Sequence, residues 1–327
     1  MATLKDVAEK AGVSVSTVSY VLNGRKKVKD ETLKRINEAV QELEYSPNRI
    51  ARGLKTSFSS TIGVLVTDLD NLFFVDMIRA IETTALEYEY SVILCNSNNS
   101  AEREKEHIKN LMGQRIDGMI VAGAGKNHAE NLEHMGIPIV TIERDKGVGK
   151  GSVVVDDIYG GRLAAQHLVD KGKTPIAFLT FSLSINTFFN RIYGCREVLE
   201  ANGLAYDENL VVETEFGTYS EGYYAAKKLL ERKVEFSSLF ACNDLLALGA
   251  MRAFMESGLR IPEDVAVIGY DDIQISKIFM PSLTTVAQPV YDMGVSATKL
   301  LFELMRNEEV KEKTIKLIPK LIVRESA

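Results

Sequence analysis

The sequence predicts an N-terminal all-α helix-turn-helix head joined to an α/β body of two Rossmann-like lobes. Three observations carry this prediction. The first 23 residues, MATLKDVAEKAGVSVSTVSYVLN, hold two short amphipathic helical patterns split at Gly12. From residue 61 onward, apolar runs of strand length alternate with helical patterns, the rhythm of a parallel sheet covered on both faces. The charge is also divided. Residues 1–60 contain 11 Lys+Arg and 7 Asp+Glu, net +4, whereas residues 61–327 contain 28 and 38, net −10.

In the head, Leu4, Val7, Ala8 and Ala11 recur at helical spacing and share one face. Thr3 precedes them as an N-cap. Gly12 supplies the left-handed turn, and Val13 plugs the gap between helices. Ser14 caps a second helix that runs through Asn23. On that helix Val18, Val21 and Leu22 face inward, leaving Val15, Ser16, Ser19 and Tyr20 outward. A short outer face with little charge suits a DNA groove, where bulky charged chains would block approach to base edges. A third helix is expected from about Lys29 to Glu44, buried along Leu33, Ile36, Ala39, Val40 and Leu43. Basic clusters follow the second helix (Arg25, Lys26, Lys27, Lys29) and the third (Arg49, Arg52, Lys55). A basic head on an acidic body is the asymmetry of a chain with one end on phosphates. The bland alternative is a small helical bundle with a solvated charged face.

In the body, strands are expected at Ile62–Thr67, Ser91–Cys95, Asp117–Ala122 and Pro138–Ile142, with helices at Phe74–Tyr88, Ala101–Met112 and His128–Met135. The rhythm then restarts. Helices are expected at Asp157–Lys171, Thr187–Asn202, Tyr219–Arg232 and Leu245–Ser257, and strands at Ile176–Phe181, Leu210–Thr214, Ser238–Ala241 and Val265–Tyr270. Ligands of open α/β sheets sit at the carboxyl ends of strands. There the first strand is followed by Asp68, Asp70, Phe73 and Phe74. Carboxylates for hydroxyls and an aromatic face for a ring are the tools of sugar binding. Phe73 is the better candidate of the two aromatics, since Phe74 also fits a core position. Asn98 and Asn99 fit a loop closure.

Several function classes are excluded. No run of about 18 apolar residues exists, and the N-terminus has no signal-peptide core. Cys95, Cys195 and Cys242 are far apart and form no CxxC, which reads as buried free thiols in a reducing cytoplasm. Gly172-Lys173-Thr174 resembles the end of a phosphate loop, but His167 stands where the earlier Gly is required. Gly147-Val148-Gly149-Lys150-Gly151 has no helix immediately after it, as a dinucleotide site needs. No GxSxG occurs, and His107, His128, His134 and His167 lack metal-ligand spacing. No enzyme, cofactor or metal is expected.

The head motifs Lys5-Asp6-Val7-Ala8, Ala11-Gly12-Val13-Ser14, Ser16-Thr17-Val18-Ser19 and Val21-Leu22-Asn23 together resemble the LacI/GalR family of bacterial transcription regulators. So do Tyr45-Ser46-Pro47-Asn48 and Ala51-Arg52-Gly53-Leu54-Lys55, which look like that family's hinge. In the body the resemblance continues through Cys242-Asn243-Asp244, Ile261-Pro262-Glu263-Asp264-Val265, Gly269-Tyr270-Asp271-Asp272 and Leu283-Thr284-Thr285-Val286. It implies a DNA-binding domain at 1–46, a hinge helix and linker at 47–60, and a periplasmic-binding-protein-like body at 61–327. The N-lobe would span about 61–158 and 290–318, and the C-lobe about 159–289 and 319–327, joined by three crossover strands. It implies DNA contacts from Val15, Ser16, Thr17, Tyr20, Asn23, Arg25, Asn48, Ala51, Arg52, Leu54 and Lys55. Leu54 would wedge into the minor groove at the centre of a palindrome, or pack against the hinge of a second copy. Many relatives carry Arg or His where this chain has Tyr20, and Tyr lacks the two-pronged contact Arg makes to guanine.

In the cleft the resemblance implies Asp68, Asp70, Phe73, Asn186, Arg191, Phe216, Asn243 and Asp271 as effector contacts. Arg191 presents a rigid fork of donors; the alternative is an ion pair on a helix. Asn243 fits a ligand contact or a helix cap equally well, and Asp272 fits a turn or cap. The implied function is a cytoplasmic, homodimeric, sugar-responsive repressor on a near-palindromic double-stranded operator, with no membrane association. A purine corepressor or a phosphorylated carrier protein is the alternative regulator, and a non-DNA-binding α/β ligand-binding protein is the alternative of another class. The implied dimer contacts lie near 74–88 and 290–305.

Overall fold

The structure, a computed structural model, describes residues 2–22, 28–45, 58–123, 132, 135–143, 150–306 and 313–327. The chain divides into two compact units, Met1–Ser59 and Ser60–Ala327.

The first unit contains α1 (Leu4–Ala11), α2 (Val15–Leu22) and α3 (Asp30–Glu42). Thr3 and Asp6 close a capping box at the start of α1, which satisfies two orphan amides reciprocally. Gly12 ends the helix at φ +64°, returning its own amide and that of Val13 to Glu9 and Ala8. Ser14 Oγ accepts from the Thr17 amide at 3.1 Å and starts α2. Val7, Ala8, Ala11, Val18, Ile36 and Ala39 form the core, with Val13, Val21, Leu22, Val40 and Leu43 packed against it. Leu33 departs from the expected stripe and is 39% exposed. It lies in the first turn of α3, a 13-residue helix packed on two of eight.

The second unit begins with β1 (Thr61–Val66), α4 (Phe73–Glu87), β2 (Ser91–Asn96), α5 (Ala101–Gly113), β3 (Gly118–Ala122), β4 (Ile139–Ile142) and β5 (Gly151–Val155). It continues through α6 (Asp157–Asp170), β6 (Ile176–Thr180), α7 (Asn186–Ala201), β7 (Val211–Glu213), α8 (Tyr219–Glu231), β8 (Ser238–Ala241), α9 (Asp244–Glu256) and β9 (Ala266–Asp271). Then follow α10 (Gln274–Ile278), β10 (Thr284–Ala287), α11 (Val290–Met305), β11 (Lys313–Leu317) and β12 (Lys320–Ile322).

The strands form two six-stranded sheets, ordered β11-β5-β4-β3-β1-β2 and β12-β10-β9-β8-β6-β7. The first is parallel throughout. The second is parallel except for β12, which runs antiparallel to β10. The chain passes between the sheets three times: after β5, after β10 and between β11 and β12. Central strands such as β3, β6 and β9 are buried along their length, as helices on both faces of a parallel sheet require.

Strands β5, β10, β11 and β12 and helix α10 stand apart from the alternation read in the sequence. Strand β5 begins at Gly151, straight after a glycine-rich run that reads as loop, while β11 and β12 are short and largely exposed. The expected helix at His128–Met135 lies mostly outside the described residues. So do the hinge from Pro47 to Lys55, with Asn48, Ala51, Arg52, Leu54 and Lys55, and the helix-end residues Asn23 and Arg25.

One packing contact positions the site. Helices α6 and α7 touch backbone to backbone at Gly161 and Gly194. A methyl group on Gly161 would overlap the Arg191 carbonyl, and one on Gly194 the Ile158 carbonyl. Across the same contact Cys195 Sγ donates to the Gly161 carbonyl at 3.2 Å. That approach sets Asp157 at the start of α6 beside Arg191 in the second turn of α7.

Candidate ligand cleft and nucleic-acid face

Within the second unit a cleft of about 570 Å³, counting its open mouth, runs along the carboxyl ends of both sheets. In each sheet the order reverses between the first and third strands of the lobe, β1 beside β3 and β6 beside β8. That switch point is where an open α/β sheet leaves a crevice. Thr67 and Asp68 after β1, Gly123 after β3, Phe181 after β6 and Asn243 after β8 all line the cleft.

Its walls are aromatic. Phe73 and Phe74 meet edge to face at 5.2 Å. Phe181 and Phe188 stack at 4.2 Å, and Phe216 stands 45% exposed at the rim. The Phe216 amide donates to the Glu221 carboxylate at 3.0 Å, and Asn243 Nδ2 donates to the Gly217 carbonyl at 2.9 Å. These bonds hold the loop that presents Phe216. Asn243 Oδ1 also accepts from the Leu246 amide at 2.8 Å, so Asn243 caps α9 while it faces the cleft.

The floor is a buried charge network centred on Arg191, which is 3% exposed. Its Nε donates to Asp157 Oδ1 at 2.8 Å and its Nη1 to the Cys242 carbonyl at 2.7 Å. Nη2 lies 3.6 Å from Glu143 Oε2, and Nη1 lies 3.9 Å from Asp271 Oδ1. The guanidinium rests over the Tyr270 ring, 3.7 Å from its centroid, a geometry that favours the cation. The Tyr270 hydroxyl donates to Asp157 Oδ1 at 3.1 Å, and Gln288 Nε2 donates to Asp271 Oδ1 at 2.7 Å.

Burial dominates the titration of these carboxylates, because a low-dielectric site disfavours charge. Burial and the neighbouring Asp157 push Glu143 up to about 8. Burial pushes Asp271 to about 7 against the pull of Arg191, and it raises Asp157 against the same guanidinium. Burial also works against the charge of Arg191, yet Asp157, Tyr270, Asp271 and Glu143 together hold its pKa above the ordinary value. Glu143 and Asp271 have backbone φ of +58° and +112°. Such strain in side-chain-bearing residues persists where the surroundings over-determine it, commonly at binding sites.

The structure brings Asp68, Phe73, Arg191, Phe216, Asn243 and Asp271 to one cleft. Asp70 and Asn186 are exposed and do not line it; Thr187 takes the place of Asn186. Asp70 lies between the lining residues Asp68 and Asn71 but is turned to solvent, its amide donating to Asp68 Oδ1 at 2.9 Å. Phe74 is both core and lining, Asn99 reaches the cleft from its loop, and Asp272 pairs with Arg324. Sequence reasoning missed Glu143, Gln288, Asn71, Phe181 and Phe188. Glu143 had a signal. The run Ile139–Ile142 ending on Glu143 parallels Ala266–Tyr270 ending on Asp271, an apolar strand closed by a carboxylate.

In the first unit, α2 turns Val18 inward and leaves Val15 43% and Tyr20 48% exposed. Ser16 is exposed and Thr17 half-buried, with Thr17 Oγ1 2.8 Å from Ser14 Oγ. Among the described residues no cluster of His, Cys, Asp and Glu could hold a metal ion, and no helix is long and apolar enough to cross a membrane.

Comparison with known proteins gives counterparts to two segments of the chain. Residues 3–48 match a family described as bacterial regulatory proteins, lacI family. Residues 165–327 match a periplasmic binding protein-like domain. The HTH-type transcriptional repressor PurR of Vibrio atlanticus is 35% identical over 328 residues, covering 99% of this chain and 98% of that protein. The lac repressor dimer bound to operator and the anti-inducer ONPF is 30% identical, with a TM-score of 0.88 over 99% of this chain and 98% of the other. A complex of the transcriptional regulator CelR with cellobiose is 32% identical, with a TM-score of 0.77 over the whole of both chains.

Proposed function

Because the chain belongs to the lacI family of bacterial regulatory proteins, DNA-binding regulators and not enzymes, we propose that it represses carbohydrate-utilisation genes. In this reading a sugar or sugar derivative binds between the lobes and releases a homodimer from a near-palindromic operator. The observation that carries the sugar is the cleft: aromatic walls at Phe73, Phe181, Phe188 and Phe216 over a floor of carboxylates and amides at Asp68, Asn243, Asp271 and Gln288. Aromatic faces cover the apolar side of a pyranose or furanose, and the polar floor takes its hydroxyls. The cellobiose bound by the CelR relative is of the same chemistry.

On the DNA side, Val15, Ser16, Thr17 and Tyr20 face the major groove. Asn23, Arg25, Asn48, Ala51, Arg52, Leu54 and Lys55 supply the backbone, hinge and minor-groove contacts. Tyr20 in place of a forked donor shifts the half-site away from those of relatives that read guanine there. Dimer contacts fall on α4 and α11, where Val75 and Tyr291 are exposed. The ligand acts only through its different affinities for the two lobe arrangements, so operator DNA weakens ligand binding by the same factor.

The test uses the full chain. Duplexes are selected from a random library, and each selected complex is challenged with sugars that raise the melting temperature of the protein. A sugar that both raises the melting temperature and weakens the selected complex supports induction. A sugar that tightens the complex, or a purine that shifts the melt where sugars do not, replaces it with corepression.

A further inference from the structure

The floor of the cleft is rich in acceptors. Glu143 Oε1 accepts from the Val155 amide at 3.1 Å, but Glu143 Oε2 is buried without a hydrogen-bond partner. Its distance of 3.6 Å from Arg191 Nη2 is an ion pair and too long for a hydrogen bond. Gln288 spends its amide nitrogen on Asp271 and leaves Oε1 buried and unpartnered as well. Both residues are more than nine-tenths buried, and both line the cleft. A buried orphan acceptor is costly, so such atoms in a binding site mark where a ligand donor belongs.

The charge points the same way. Arg191 is the only cation among the described residues that line the cleft. It faces three carboxylates, those of Asp157, Glu143 and Asp271, and a fourth, Asp68, lines the N-lobe side. Two of its nitrogens already donate to Asp157 and the Cys242 carbonyl. An arginine that recognises phosphate or carboxylate presents a free fork of parallel N–H groups. Here Nε and Nη1 are committed to the protein's own acceptors, and Nη2 faces the Glu143 carboxylate at 3.6 Å.

We infer that this cleft selects against anions: its effector is an uncharged or amino-bearing polyol whose hydroxyl or ammonium donors reach Glu143 Oε2 and Gln288 Oε1, and phosphorylated or acidic sugars are refused. The inference rests on the cleft being the effector site. Above pH 8, where Glu143 and Asp271 are ionised, a phosphate would meet three carboxylates around a guanidinium whose Nε and Nη1 are already committed, and it would bring acceptors to atoms that require donors.

The experiment separates the two layers. At pH 9, where Glu143 and Asp271 are ionised, matched sets of a sugar, its amino sugar, its phosphate and its uronic acid are titrated calorimetrically into the full chain and into the variants Glu143→Gln and Gln288→Glu. The parent or amino sugar binds, and its phosphate and uronic acid bind at least about tenfold more weakly, the scale of one lost charge-assisted hydrogen bond. Glu143→Gln, which keeps the shape and removes the charge, narrows that gap between neutral and anionic members. Gln288→Glu widens it. A phosphate or uronic acid that binds as tightly as its parent overturns the anion selection while leaving the effector cleft standing. If no member of any set binds and another ligand class does so without sensing Asp271→Asn, the cleft reading itself fails.

Discussion

In each lobe the fourth strand ends on a carboxylate with a left-handed backbone, Glu143 after β4 and Asp271 at the end of β9. The sheets that carry them share one order, yet the two carboxylates are supported differently. Asp271 is bonded to Gln288 and faces Arg191, and Arg191 is fixed in turn by Asp157 through the helix contact at Gly161 and Gly194. Glu143 is held through one oxygen by its own lobe, while the other points across the cleft toward Arg191. Apart from the buried Thr67, the remaining N-lobe polar groups, Asp68, Asn71 and Asn99, are half-buried or exposed on loops. One lobe presents an assembled wall and the other an incomplete one. Topology therefore decides where a binding group can stand. The support behind it decides whether the group is rigid before the ligand arrives.

The sharpest way to break this contrast is to remove its centre. Arg191→Met leaves three carboxylates buried around an apolar side chain. Breaking one side of a buried ion network costs about 3–5 kcal/mol, so equilibrium urea unfolding of the second unit shifts by that amount and ligand binding is lost. A stability unchanged within 1 kcal/mol would mean that the network is not the brace described here.

Acid and base act on the same groups with a smaller effect. Asp244 accepts from the Ile273 amide, Ser276 Oγ and Thr285 Oγ1, and burial pushes it up to about 8. Burial likewise raises Glu143 to about 8 and Asp271 to about 7. Carboxyls raised in the folded state bind more protons there than in the unfolded chain. Their contribution to stability is therefore complete below the ordinary carboxylate range and is lost as the pH rises to about 8. The melting temperature of the second unit falls by roughly 5–10 °C between pH 5 and pH 8.5. Asp244→Asn removes part of that slope. A rise in melting temperature over the same range contradicts the assignment.

On the incomplete wall the signature reverses. Asp68→Asn leaves unfolding within roughly 0.5 kcal/mol, as surface changes do. It weakens the ligand by about 1–2 kcal/mol through loss of a charged acceptor, read by calorimetry. The glycines, last, differ by their place. Gly113 ends α5 with open space around it, so Gly113→Ala stabilises by about 0.5 kcal/mol. Gly194→Ala, with no room for a methyl group, destabilises and separates Asp157 from Arg191. Equal effects in thermal melts would deny the helix contact its role.

The head was legible almost residue by residue, because caps, a turn glycine and helical spacing are local signals. Thr3, Gly12, Ser14 and Val18 sit where those signals put them. Leu33 was not, since its exposure depends on where two other helices end. In the body the buried central strands announced themselves through continuous apolar runs. Strand β5 did not, because the glycine-rich approach to it, Gly147-Val148-Gly149-Lys150-Gly151, reads as a loop. The cleft divides the same way. Asp68 follows a readable strand, whereas Gln288 follows β10, which the alternation in the sequence does not show. Arg191 kept both of its readings, as an ion pair between helices and as part of the cleft floor.

The order in which the chain supplies its strands has a consequence for synthesis. The first sheet receives its outer strand, β11, only after all but the last strand of the second sheet has been made, and helix α11, which packs on β3, β4 and β5, arrives just before. The second sheet waits still longer for β12. A nascent body therefore leaves the ribosome with both sheets unfinished and their flanks bare, in the state where exposed edges pair with the wrong neighbours. Its maturation depends on the final few strands arriving before such encounters do.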